Sequence, residues 1–186
     1  MKFKLLILTA ISCILLSCGN GEQKNVDKEN LSNEKTLNTE TKLEELKIEA
    51  TRLRAGESIK NVELNGDKAT ISYVSNFKEY KELNPQSSLT ESELKSYWES
   101  GDSIEKALID GSVRIMRKFE FINEVKIILP YNKKTYEISV NKSDLEKFIG
   151  TDFKSIIENW NKKFSEPYVY DSNGRQLFFK RFGVRK

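Results

Sequence analysis

The chain has 186 residues, 38% hydrophobic, 10% aromatic and 32% charged, with two Cys and no His. Thirty-one basic against twenty-eight acidic side chains leave a net charge of +3, too little for a surface dedicated to nucleic acid. Without His there is no Ser-His-Asp triad, Cys-His dyad, HExxH zinc site or imidazole acid/base. The length suits one domain with a sizeable core.

The first element is an address. Lys2 and Lys4 precede an apolar run from Leu5 to Leu16, interrupted mainly by Thr9 and Ser12. Such a run is too short to cross a hydrocarbon core of about 30 Å as a helix. A basic flank, a short apolar core and a small residue at its end read as a signal peptide over residues 1–17. Leu15-Leu16-Ser17-Cys18 resembles the lipobox of bacterial lipoproteins. That resemblance implies a diacylglyceryl thioether on Cys18 and palmitate-like acyl chains. Each buried methylene contributes about 0.8 kcal/mol, so two or more chains make a stable anchor. Cys13 leaves with the signal peptide and Cys18 carries lipid, so no thiol remains for a disulfide, a metal or a nucleophile. The resemblance implies an extracytoplasmic protein, in the cell membrane of a Gram-positive host. Gly19 in place of Asp implies the outer membrane of a Gram-negative one.

Residues 18–42 read as the lipidated Cys and a flexible tether. Val26, Leu31 and Leu37 are the only large apolar side chains there, too few to offset the entropy of ordering. As a coil from Gly19 to Lys42 the tether would reach about 27 Å. Residues 43–186 read as one α+β domain, a mostly antiparallel sheet with amphipathic helices packed on one face. Leu43, Leu46, Ala50 and Leu53 predict a helix ending near Gly56. Val62–Leu64 and Ala69–Val74 flank Asn65-Gly66-Asp67, a hairpin signal in which both central residues need positive φ. Thr90 with Glu93, and Asp102 with Glu105, predict two helix starts by capping boxes. Val125–Leu129 and Tyr136–Val140 alternate as a strand pair across Pro130–Lys134. Ser143 with Glu146 predicts a short helix, and Phe153, Ile156, Ile157, Trp160 and Phe164 an amphipathic one. Tyr168–Tyr170 and Gln176–Phe182 around Asp171-Ser172-Asn173-Gly174 predict a second hairpin.

Candidate chemistry is sparse, and neither a cofactor nor a metal is expected. Ser92–Lys95 and Ser103–Lys106 have the Ser-x-x-Lys spacing that lets a neutral amine activate a hydroxyl, but the companion motifs of penicillin-recognising enzymes are incomplete. Asp102, Glu105, Asp110, Glu93 and Glu99 supply carboxylates for acid/base pairs of the glycosidase kind. From Trp160 onward Lys162, Lys163, Arg175, Lys180, Arg181, Arg185 and Lys186 face only Glu166 and Asp171. Arg175, Phe178, Lys180, Arg181, Arg185 and Lys186 therefore form a candidate basic-aromatic surface for anionic lipid, an envelope polymer or an acidic partner. The alternative is an edge strand with Phe packed inward and cations blocking the edge. Tyr80, Tyr97 and Trp98 are candidates for a carbohydrate or protein site, or lids on the core.

Val62–Ile71, followed by Ser75-Asn76-Phe77, resembles the strand pair of GerMN-type domains, small α+β modules of bacterial lipoproteins and sporulation proteins. The resemblance spans roughly Ile59 to Val140 and implies a binding or assembly role without catalytic residues; the Lys81–Gly101 segment is an insertion relative to it. The expected function is a lipid-anchored, non-enzymatic protein that binds a protein or envelope component, with the membrane held through Cys18. The alternatives are a small envelope hydrolase or transferase, and a small-ligand or lipid carrier.

Overall fold

In the computed structural model residues 38–186 are described; the expected signal peptide, Cys18 and most of the tether lie outside them. The end of the tether does not. A helix, α1, occupies residues 38–50. Leu46 and Ala50 are buried and the Lys42 ammonium lies 4.8 Å from the centre of the Phe121 ring, so tertiary packing overrides the polar composition here. The helix ends before Gly56, which instead opens a short 3-10 turn, Gly56–Ser58. A Cβ at Gly56 would lie 2.1 Å from the Thr51 carbonyl oxygen, so only glycine fits.

Strand β1 (Ile59–Asn65) turns into β2 (Lys68–Tyr73) through Gly66–Asp67. Asn65 pairs with Lys68, and of the two loop residues only Gly66 has positive φ, +62°. The turn is thus one residue later than the Asn-Gly signal predicts, and has Gly first, as a type II′ turn does. The turn with two positive φ values is the other one, Asn132 (47°) and Lys133 (61°), between β3 (Glu124–Tyr131) and β4 (Lys134–Asn141).

Between the two hairpins lie α2 (Phe77–Leu83), α3 (Glu91–Glu99) and α4 (Ser103–Lys118). This helical crossover returns β3 parallel to β2. After β4 come α5 (Lys142–Ile149), α6 (Phe153–Glu158), a π-helix (Asn161–Tyr170), α7 (Ser172–Phe182) and a short β5 (Gly183–Arg185). The sheet order is β1-β2-β3-β4-β5 with every pairing but β2–β3 antiparallel, so the fold is α+β as expected. Ala69, Ile71, Val125, Ile127, Ile138 and Val140 point to one buried face, against which α4 packs. The opposite face is polar, with Lys68 2.7 Å from Glu124 and Lys126 3.0 Å from Glu137.

Several local expectations are corrected. Thr90 and Glu93 do form the capping box of α3. Asp102 precedes α4 at φ +58° and makes no cap bond, because its carboxylate is drawn to Arg175. Helix α5 is capped by Asn141, whose Oδ1 accepts the Ser143 amide at 3.0 Å. Glu146 instead accepts the Phe153 amide at 2.8 Å, joining α5 to α6. The helix expected to run through Phe164 stops at Glu158, and the backbone continues as the π-helix, which contains Pro167.

The predicted C-terminal hairpin does not form. Asp171 Oδ1 accepts the Gly174 amide at 2.7 Å and starts α7, so Asp171–Gly174 is a helix cap rather than a turn. Arg175, Phe178, Phe179 and Phe182 fall at i, i+3, i+4, i+7 and are the buried face. The sheet edges are β1 and β5, and β5 is the three residues after α7.

Candidate functional site

The β2–β3 ladder stops at a proline. The Glu124 amide donates to the Asp67 carbonyl at 3.2 Å, which sets the phase: even-numbered residues of β3 face β2. Continued in that phase, the residue 130 amide would donate to the Tyr73 carbonyl, and Pro130 has no N–H. The Val74 amide donates to the Ser58 carbonyl at 2.8 Å, and in a trans peptide this turns the Tyr73 carbonyl to the other side, toward β3.

Pro130 is similarly constrained. Thr135, its partner in β4, exchanges both backbone bonds with Lys186 at 3.0 and 2.9 Å. With Thr135 facing β5, the Pro130 carbonyl faces away from β4 and into the gap that β2 has left. The amide that a continued ladder would bring to it, that of Ser75, donates to Glu79 Oε2 at 2.8 Å. Two strand carbonyls thus lose the donors that a continued ladder would bring.

A cleft of about 290 Å³ opens at this point. Val74 and Phe77 come from the β2–α2 junction, Leu94 and Trp98 from α3, and Pro130 and Tyr131 from β3. Trp98 is held by edge contacts with Tyr73 and Tyr97, ring centres 5.6 and 4.9 Å away. The Tyr73 hydroxyl donates to the Arg54 carbonyl at 2.8 Å, and burial pushes its phenol pKa upward. Tyr131 donates to Glu99 at 2.9 Å; loss of water and this bond push its pKa up to about 12. Both phenols are therefore neutral hydrogen-bond donors at neutral pH. Glu91 and Lys95 also line the cleft, one helical turn apart on α3. They do not pair with each other. Lys95 lies 4.0 Å from Glu99, and Glu91 has no ion-pair partner among the described residues.

Of the candidate basic-aromatic residues Arg175, Lys180 and Arg185 line a separate cleft with Asp102, Glu105 and Phe179. Phe178 is fully buried, and the Arg175 side chain is 4% exposed. Arg175 donates to the Val169 and Tyr170 carbonyls at 2.9 and 3.2 Å and pairs with Asp102 and Glu105. Arg185 pairs with Glu105, and Lys186 lies 3.3 Å from Glu137. Arg181 stacks over Phe182, and Lys180 is exposed without a partner among the described residues.

Of the candidate reactive groups Asp102 and Glu105 meet at Arg175, and the others are drawn apart. The Lys106 ammonium and the Ser103 hydroxyl donate to different carbonyls, those of Gly101 and Ser100. Asp110 lies 3.2 Å from Arg114 and 3.7 Å from Arg54. Glu93 is spent on its capping box; the Thr90 amide and then its hydroxyl hold the carboxyl below its usual range. Of the aromatic candidates Tyr80 is buried, Tyr97 is 38% exposed, and Trp98 reaches the cleft. Sequence reasoning missed Phe77, Glu91, Pro130 and Tyr131 as site residues. The one available signal was a proline directly after an alternating strand.

Among the described residues no helix is long and apolar enough to cross a membrane, and no cluster of acidic side chains could hold a metal ion. Compared with known proteins, the chain matches no family model, no curated protein and no solved structure.

Proposed function

We propose that this chain is a lipid-anchored binding protein of the bacterial envelope, held outside the cytoplasm through Cys18, and that its cleft binds an envelope component without catalysis. One observation carries the binding part: an aromatic-lined cleft opens where the Pro130 carbonyl lacks its ladder donor, at the carboxyl ends of parallel strands. The GerMN-type resemblance over residues 59–140 implies the same kind of role. The engagement of Asp102, Glu105, Ser103 and Lys106 in other contacts weighs against the hydrolase alternative.

Two measurements test this. Cys18→Ala is expected to abolish metabolic acyl labelling and move the protein from the detergent to the aqueous phase; unchanged partitioning would refute the anchor. A photoreactive phenylalanine analogue at Tyr131 is expected to capture an envelope component in living cells. The same analogue at Ser139, on the polar sheet face, serves as control. Equal capture from both positions, or none from Tyr131, would refute binding at the cleft.

A further inference from the structure

Resting on that reading, the cleft also specifies what it binds. We infer that it takes a primary α-ammonium group borne by an apolar residue, either a free amino acid or the first residue of a peptide.

Two acceptors stand on the cleft wall. The Pro130 carbonyl faces the gap without its ladder donor, and Glu91 adds an exposed carboxylate without an ion-pair partner among the described residues. An occupant that shuts these acceptors off from water must supply donors in its place, since an acceptor left dry and unbonded is costly. A phosphate or carboxylate brings none, and a hydroxyl brings one. An ammonium brings three and a positive charge. The charge suits Glu91, and the rings of Phe77, Trp98 and Tyr131 favour a cation over a neutral amide.

The remaining lining gives the rest of the occupant. Val74 and Leu94 are apolar and nearly buried, a surface for an aliphatic or aromatic side chain. Lys95 stands one turn from Glu91, and i, i+4 side chains of opposite sign ordinarily pair. Here Lys95 lies beside Glu99, 4.0 Å away, rather than Glu91, so the cleft wall offers separate anionic and cationic groups across which a zwitterion can lie. A free amino acid would use both charges. A peptide N-terminus would use Glu91 and leave Lys95 idle. At about 290 Å³ the space suits one residue rather than a folded partner.

Trp98 reports occupancy directly in the full-length chain carrying Trp160→Phe, since the protein has only two Trp. Its fluorescence is titrated with leucine, leucinamide, N-acetyl-leucine and the tripeptide Leu-Gly-Gly. Leucine and leucinamide are expected to bind, and N-acetyl-leucine, which lacks the ammonium, is not. Glu91→Gln is expected to weaken leucinamide binding at least tenfold, the size of a lost charge-assisted bond. Loss of leucine affinity in Lys95→Met, with leucinamide unchanged, identifies a free amino acid as the ligand. Tripeptide binding as tight as that of leucine, with both insensitive to Lys95→Met, identifies a peptide N-terminus.

Equal binding of N-acetyl-leucine, or an unchanged leucinamide affinity in Glu91→Gln, would overturn the inference. Failure of all four compounds, while cross-linking from Tyr131 still captures a component, would overturn the ligand class and leave the binding role standing. Failure of both would overturn both.

Discussion

Pro130 shows how much one residue can decide. Inside a paired strand proline removes a ladder bond, so it is tolerated only where the neighbouring strand has departed. In β3 that departure follows Ser72 and Ile128, the last pair of the parallel ladder. The residue that ends the ladder also leaves the Tyr73 carbonyl without its ladder donor. Pro130→Ala restores an amide opposite that carbonyl. The new N–H is expected to exchange slowly in hydrogen-exchange measurements, and exchange at the rate of an open loop would refute this strand phase. Global stability should change by less than about 1 kcal/mol, because a new hydrogen bond and the lost rigidity of proline act in opposite directions. Proline was visible in the sequence, but the neighbour that it releases lies across a helical crossover.

At the scale of elements, the C-terminal segment was misread because two patterns coincide in it. Tyr-Val-Tyr and a run of Phe are β-prone, and Asn-Gly is a turn signal. The i, i+3, i+4, i+7 spacing of Arg175, Phe178, Phe179 and Phe182 carried the correct period, but its first member is charged. Arg175 earns its burial through specific partners. It bonds the last carbonyls of the π-helix and pairs with Asp102 and Glu105 at the start of α4. Arg175→Ala strands these groups and is expected to destabilise the protein by about 3–5 kcal/mol. Arg185, 56% exposed while paired with Glu105, should cost under about 1 kcal/mol on the same change. Urea unfolding of the two variants checks the contrast. Equal losses would mean that Arg175 contributes no more than a surface ion pair.

For the whole molecule, acid sensitivity follows from the polar sheet face and the start of α2. The Ser75 amide, then Lys60, hold the Glu79 carboxyl below its ordinary range. Lys68 does the same to Glu124. Burial pushes Glu137 the other way, but Lys126 and Lys186 outweigh it and the net shift is downward. A carboxylate with a depressed folded-state pKa stabilises the fold fully above its unfolded value, about 4.3 for Glu, and loses that contribution as the pH falls through the folded value. The urea midpoint is therefore expected to be flat from pH 7 to 5 and to fall by pH 3. An unchanged midpoint at pH 3 would refute the contribution of these three carboxylates.

Periodicity and turn chemistry in the sequence determined the α+β class, the two strand pairs, the capping box of α3 and most of the apolar residues that enter the core. These features depend on residues within a turn or two of each other, where backbone preference and side-chain period act directly. Tertiary structure alone decided that β3 lies parallel to β2, that Asp102 gives up its cap for Arg175, and that α7 replaces a hairpin. It also placed Glu91, Trp98 and Pro130 around one cleft. Those outcomes depend on partners tens of residues apart, and no local pattern records which distant chain will stand beside a given strand.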